Sequence, residues 1–344
     1  MNQVAVIIPT LNEAERIGDL LAQIAQQPAD LVLDILVADG GSTDGTQAIV
    51  TTAAGLDARI RLVDNPERIQ SAGVNRAVAL ADCHADILIR VDAHAHYPDD
   101  YVPRIVAAFA ATQANMVAVG LRTVAKTCVQ RGIAAASNSR IGTGGAAHRV
   151  GAPSGFVDHG HHAGMSRAMF ERVGGYDRSF VANEDAELDL RVRKAGGRIW
   201  LAADIQVEYL PRSTLRRLFI QYWRYGRGRA QTFRKHGERL RPRQMLPPLL
   251  VIALASAILL SPLLPALLLL PLAYVMALSV ATFMLWRKSP SVCTLLALPA
   301  AATMHIAWGT GFCAALLSTS ARPVRSPSPH WSRTSEQAAD RTRT

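Results

Sequence analysis

Val4-Ala-Val-Ile-Ile-Pro-Thr-Leu-Asn-Glu13 is the stretch on which the fold turns. Its unbroken apolar start, mostly β-branched, reads as a strand buried on both faces, as in the interior of a parallel sheet. Pro9 ends that strand, and Asn12, followed by Glu13 and Glu15, is expected to cap a helix running through Gln27. The pattern then recurs. Ile35-Leu-Val-Ala38 closes in Asp39-Gly-Gly-Ser-Thr-Asp-Gly45 with a helix behind it, Arg61-Leu-Val63 precedes a helix over Ser71 to Leu80, and Ile87-Leu-Ile-Arg-Val91 ends at Asp92. Strand followed by helix, repeated, predicts an α/β fold with a mostly parallel, Rossmann-like sheet and flanking helices. Ligands in such sheets bind beyond the carboxyl ends of the strands. Three polar clusters fall there: Thr10 to Glu13, Asp39 to Ser42, and Asp92 to His96.

The second half differs in composition. Of 344 residues 49% are hydrophobic, and the excess is concentrated late: no charged residue occurs from Gln244 to Trp286 or from Ser289 to Ala321. A spanning helix needs about 20 apolar residues, so the first run can hold two spans and the second one. The formal charge of +10 is matched by the segment Arg212 to Arg243, where eleven Arg or Lys face one acid, Glu238. A basic stretch directly before an apolar run suits the cytoplasmic membrane surface, and no nucleic-acid partner is expected. The chain start lacks a basic n-region and does not read as a signal peptide. Cys83, Cys128, Cys293 and Cys313 show no paired spacing, so neither a disulfide framework nor a zinc site is expected. The expected organisation is a catalytic domain over 1–211, a basic amphipathic interfacial segment over 212–243, a transmembrane region of two to three spans over 244–321, and a disordered basic tail over 322–344.

Four constellations can carry chemistry. The Asp39 loop offers a carboxylate and glycine-flanked N–H groups to a base or ribose, or is a tight turn with Asx caps. Asp92 and His94, two residues apart at a strand end, can turn to one divalent cation, or simply close a turn. Asn183-Glu-Asp-Ala-Glu-Leu-Asp189 opens a helix with acids; such acids complement the helix dipole, and one of them can be a general base. Gln221, Arg224 and Tyr225 share a helix face and can hold phosphate and a sugar, or lie on an interface.

Together, Ile8-Pro-Thr-Leu-Asn-Glu13, Asp39-Gly-Gly-Ser-Thr-Asp-Gly45, Asp92-Ala-His94, Gly174-Gly-Tyr-Asp177 and Glu184-Asp185 resemble the inverting glycosyltransferases of family 2, which have a GT-A fold. Arg224-Tyr-Gly-Arg-Gly-Arg229, with apolar spans behind it, is similar to the succinoglycan-type exopolysaccharide glucosyltransferases. The resemblance implies a nucleotide-sugar donor, a lipid-linked glycan acceptor and a divalent cation, Mn²⁺ or Mg²⁺. It implies a donor site of Pro9, Thr10, Asn12, Glu13, Asp39, Gly41, Ser42, Arg68, Asn75 and Asp92, with Asp92 and His94 as metal ligands. Asp185 matches the general base and Glu184 its neighbour, while Gln221, Arg224 and Tyr225 match a motif facing acceptor or diphosphate. Two positions depart from the pattern: His94 stands where a second acid is usual, and Tyr225 where processive synthases have Trp, which points to addition of single residues. The expected location is the cytoplasmic (inner) membrane, with the catalytic domain facing the cytosol.

Two rivals remain at this level. A polyprenyl-phosphate sugar transferase would need no strong base, because its acceptor is already ionised. A non-catalytic membrane scaffold with a nucleotide pocket would not require Asp39, Asp92 and Asp185 together. Three spans from a cytosolic start would also leave the Arg-rich tail outside, against the positive-inside tendency. A re-entrant or interfacial third segment, or a second run that turns back on itself, would remove that conflict.

Overall fold

The computed structural model describes residues 3–238 and 240–318. The tail expected over 322–344 lies outside the described residues. The opening run becomes β1 (Gln3–Thr10), and α1 follows over Ala14–Ala25. Next come β2 (Val32–Asp39), α2 (Thr46–Leu56), β3 (Ile60–Asp64), α3 (Gln70–Leu80) and β4 (Ala85–Arg90). β1 pairs in parallel with β2 and β4, and β2 with β3. Val4, Val6 and Ile8 face a cluster with Ile17, Leu21 and Ile24 of α1, whereas Ala5 and Ile7 face Val74 and Val78 of α3. Burial on both sides explains why the run does not alternate.

The remaining strands are β5 (Ala95–His96), β6 (Met116–Thr123), β7 (Gly155–Val157), β8 (His161–Ser166) and β9 (Ile199–Tyr209). The sheet runs β3-β2-β1-β4-β8-β6-β9-β5, with β7 on β9. β8 is antiparallel to both β4 and β6, so it carries its amino end to the same rim at which β4 and β6 finish. That reversal delivers His161 and His162 to the site. Between these strands lie α4 (Tyr101–Thr112), α5 (Cys128–Ser137), α6 (Arg140–Thr143), α7 (Arg167–Arg172) and α8 (Glu184–Lys194).

After β9 come α9 (Leu215–His236), α10 (Pro242–Leu260), α11 (Leu269–Lys288) and α12 (Ala297–Leu317). Three stretches here, Pro242–Leu260, Pro265–Lys288 and Val292–Leu317, are long and apolar enough to cross a membrane. α10 and α11 carry most of their leucines outward, with Leu278 a buried exception, but α12 is the most buried of the three. α12 runs alongside α9: Leu218 shares a cluster with Ala300, Ala301 and Met304, Gly226 abuts the Trp308 carbonyl, and Arg234 Nη1 donates to the carbonyls of Ala315 (3.1 Å) and Ser318 (2.9 Å).

One expectation is overturned. Cys128, at the start of α5, is disulfide-bonded to Cys293, 165 residues away. No local spacing could signal this bond, because packing of α5 against the turn before α12 brings the two thiols together. The helix cap is also corrected. Asn12 adopts a left-handed φ of 57° and caps nothing in α1; the free N–H groups of Glu13 and Ala14 donate to Thr46 Oγ1 (2.9 Å) and Asp44 Oδ2 (3.0 Å) of the neighbouring loop.

Candidate active site

The first two clusters are laced into one wall at the rim of the sheet. Asn12 N donates to Ser42 Oγ (2.8 Å), and Thr43 N donates to Asn12 Oδ1 (2.9 Å). Pro9 and Thr10 pair in register with Ala38 and Asp39. The Asp39 carboxylate organises its own loop, accepting from Gly41 N (2.9 Å), Ser42 N (2.9 Å) and Gln47 Nε2 (2.6 Å) at Oδ2 and from Ser42 Oγ (2.5 Å) at Oδ1. Burial opposes ionisation, but these donors hold Asp39 below its ordinary pKa, so it stays charged. Gly41, at φ +80°, lets the turn close against the Arg68 guanidinium, and a side chain there would be strained. Thr10 Oγ1 is buried without a hydrogen-bond partner at this rim. Asn75 lies deeper: its Nδ2 donates to the Tyr176 carbonyl (2.7 Å), and its Oδ1 accepts from Tyr176 N (2.8 Å). Both ends of its amide hold the Gly174–Asp177 loop.

Arg90 links the rim carboxylate Asp92 to the acid Asp185 of α8. It is buried at the end of β4, with Nε 3.5 Å from Asp92 Oδ1 and Nη1 and Nη2 2.6 and 3.1 Å from the two oxygens of Asp185. Asp92 also faces His161 Nε2 at 3.9 Å. Burial pushes the Asp92 pKa up, but Arg90, with His161 and His94, holds it below the usual value. His94 packs edge-on against Tyr209, and its Nδ1 stands 3.6 Å from Glu13 Oε1, joining the Asp92 cluster to the first wall. His96 is exposed on β5. The three metal-capable side chains that do cluster, Asp82, Cys83 and His84, are exposed just before β4 begins, at the opposite rim.

Asp185 sits in the first turn of α8 within a buried network. Tyr176 Oη donates to its Oδ1 (2.9 Å), and His162 Nδ1 stands 3.2 Å away. His162 Nε2 bonds Asp189 Oδ1 (2.6 Å), and Asp189 Oδ2 bonds His159 Nδ1 (2.6 Å). Burial would raise the pKa of Asp185, yet Arg90 and His162 hold it well below the carboxylate range. Burial and the Asp185 charge push Glu184 up to about 7. Two adjacent acids are thus driven apart, one ionised at neutral pH and one titrating near neutrality, a pattern typical of acid–base sites.

α9 braces this corner. Gln221 Nε2 donates to Tyr225 Oη (2.9 Å) and Tyr209 Oη (3.3 Å), and the Tyr225 carbonyl accepts from Asn183 Nδ2 (2.6 Å). Asn183 takes a left-handed φ of 63° immediately before Glu184. Gly228 has no room for a Cβ against the carbonyl of Ala182. Arg224 is exposed on the same helix.

Sequence reasoning missed Arg90, His161, His162, Tyr176 and Asp189. A signal existed for the first: a lone cation inside the apolar run Ile87 to Val91 must be paired when buried. Two adjacent histidines in Asp158-His-Gly-His-His162 gave a weaker one.

Similarity to known proteins concerns the family and the fold. The Glycosyl transferase family 2 profile matches residues 5–174. The succinoglycan biosynthesis protein ExoA of Rhizobium meliloti (strain 1021) is 45% identical over 316 residues, covering 91% of this chain and 94% of that protein. A dolichyl N-acetyl-alpha-D-glucosaminyl phosphate 3-beta-D-2,3-diacetamido-2,3-dideoxy-beta-D-glucuronosyltransferase of Methanococcus voltae is 25% identical, over 68% of this chain and 75% of that one. Among solved structures, the mannosyltransferase PcManGT of Pyrobaculum calidifontis, in complex with GDP-Man and Mn²⁺, superposes with a TM-score of 0.54 at 22% identity, covering 92% of this chain and 86% of that one. This last likeness concerns the fold.

Proposed function

This chain belongs to glycosyl transferase family 2, and we propose that it is a membrane-attached hexosyltransferase of exopolysaccharide or cell-envelope glycan synthesis. The donor is a nucleotide-sugar, with UDP-glucose the first candidate, and the acceptor a lipid-linked or polysaccharide hydroxyl. The observation that carries the reading is Arg90, which ties the rim carboxylate Asp92 to the acid Asp185 and so sets donor wall and base side by side. The relationship to ExoA supports the exopolysaccharide setting.

In this reading the nucleotide lies against Pro9 to Glu13 and the Asp39 loop, and Thr10 Oγ1 finds its partner there. A divalent cation suits the carboxylate and imidazole donors at the rim, Asp92 with His161 and His94, an O/N set compatible with Mn²⁺; the solved mannosyltransferase holds that ion. When bound, it would neutralise charge on the departing diphosphate. Asp185, kept ionised and oriented by Arg90, Tyr176 and His162, takes the proton of the acceptor hydroxyl. That oxygen bonds to the anomeric carbon as the bond to the diphosphate oxygen breaks, with inversion and release of the nucleoside diphosphate. Glu184, which titrates near neutrality, has the proton affinity to relay the proton onward. The apolar helices hold the enzyme at the cytoplasmic membrane, with the sheet on the cytosolic side.

The test is donor hydrolysis and transfer by detergent-purified protein over a panel of UDP-, GDP- and dTDP-sugars with Mn²⁺ or Mg²⁺. One donor should turn over, and Asp92→Ala should abolish its use. Asp185→Asn should keep donor binding but lose about 10²–10⁴-fold in turnover, the usual worth of a general base. Near-normal turnover in Asp185→Asn would refute the base assignment.

A further inference from the structure

Five arginines gather around Asp158 and His148: Arg193 near the end of α8 and Arg241 and Arg243 around the start of α10 lie by Asp158, Arg229 of α9 lies by Arg241 and Arg243, and Arg149 in the loop before β7 lies with Arg243 by His148. Two of them are neutralised. Arg241 pairs with Asp158, and Arg193 Nη2 donates to Glu238 at 3.1 Å. Among the described residues the other three form no ion pair. Arg149 Nη1 donates to Thr123 Oγ1 (3.2 Å), Arg243 Nη1 reaches the Gly145 carbonyl (3.5 Å), and Arg229 makes no hydrogen bond.

Half-buried like charges repel one another and lose hydration, so this grouping is unfavourable until an anion enters it. Burial lowers the pKa of Arg229; Glu238 and Asp189 oppose the shift, and the nearby Arg243 and Arg241 add to it. A second, independent observation points to the same place. His148 lies among Arg149, Arg243 and His159, and its Nδ1 is buried without a hydrogen-bond partner. Beside it a cavity of about 290 Å³ opens onto Arg149, Arg122 and Gln206. His159 in turn bonds Asp189, which bonds His162 beside Asp185, so the cluster adjoins the base network.

We propose that Arg149, Arg229 and Arg243, with His148, bind the diphosphate of a lipid-linked acceptor. Guanidinium forks match phosphate oxygens two at a time, and guanidiniums on three separate elements suit an anion with two phosphate groups to share among them. The anchored diphosphate would place the acceptor sugar towards Asp185, while its lipid runs down beside α10. The proposal rests on the acceptor reading above and names the group recognised. Bilayer phospholipid headgroups share this phosphate chemistry, and the test separates the two sources.

The full chain is placed in phosphatidylcholine nanodiscs and titrated with farnesyl diphosphate, farnesol and, separately, UDP-glucose. Farnesyl diphosphate should bind and farnesol should not. Arg149→Gln, Arg229→Gln and Arg243→Gln should each weaken farnesyl diphosphate binding at least about tenfold. The matching Lys variants should recover much of the loss, and Arg216→Gln, on the exposed side of α9, should have no effect. Melting temperatures recorded in parallel, with the Lys variants, separate lost recognition from lost folding. Wild-type affinity in the Gln variants, or equal loss in the Lys and Gln variants, would overturn the proposal. So would nanodiscs enriched in phosphatidylglycerol that abolish farnesyl diphosphate binding, since the cluster would then be a headgroup site. UDP-glucose and the wider donor panel judge the transferase reading independently: no donor bound would sink that reading, while the arginine effects on farnesyl diphosphate would still stand or fall on their own.

Discussion

His162 is enclosed between Asp185 and Asp189, and the two charges outweigh burial and raise its pKa to about 10. In the unfolded chain it titrates near 6.5. Its stabilising contribution is therefore complete below about pH 6.5 and is lost as the pH climbs towards 10, at up to about 1.4 kcal/mol per pH unit. Chemical denaturation of wild type and His162→Gln between pH 6.5 and 10 should show the wild-type advantage shrinking steadily. A pH-independent difference would show that His162 is neutral in the folded protein. At this scale the sequence is partly legible. Asp92, Glu184 and Asp185 stand out because acids at strand ends and helix starts are exposed to view in the pattern. His162 and Asp189 do not, because their relationship exists only once the antiparallel β8 lies beside α8. The family resemblance implies Asn75 as a donor contact, and in the structure both ends of its amide hold the Tyr176 backbone.

Among the elements, α9 decides how the acids are held. Gly228 presses on the carbonyl of Ala182, and the Tyr225 carbonyl fixes Asn183, so the entry to α8 is set by a helix that also carries α12. Gly228→Val should displace that entry, costing about 1–3 kcal/mol of stability from overpacking and lowering turnover at unchanged donor affinity. Gly55→Ala is the counterpart. Nothing lies within 4 Å of a Cβ there, and it sits in the last turn of α2, so it should stabilise by up to about 1 kcal/mol. Thermal melts and steady-state kinetics on the two variants check both outcomes. The helix itself was visible as a basic amphipathic stretch. Its contact with the acids was not, because nothing in the spacing of Gly226 and Gly228 says which backbone will approach them.

At the scale of the molecule, α9 exposes Arg216, Arg217, Arg224, Arg227, Arg234 and Lys235, a load that hydrocarbon does not accept. α12 follows α9 from Leu218 to Arg234, so it too should lie along the interface, leaving α10 and α11 as the spanning hairpin. An interfacial α12 would keep its own last turn on the side of the sheet and would remove the conflict over the Arg-rich tail. A C-terminal tag should be protease-accessible in inside-out vesicles and protected in right-side-out ones; the opposite result would make α12 a third span. The sheet was legible because strands buried on both faces and their polar ends repeat in order along the chain. The packing of α12 along α9 was not, since its composition is that of a span and nothing in it names the helix it lies against. The bond between Cys128 and Cys293 adds a last consequence. It closes the chain into a ring that contains β7 to β9, α7 to α11 and the acids. A nick anywhere in that ring opens it without releasing a fragment, so the sheet layer and the apolar pair α10 and α11 remain one covalent molecule after a cut that would sever an unbridged chain.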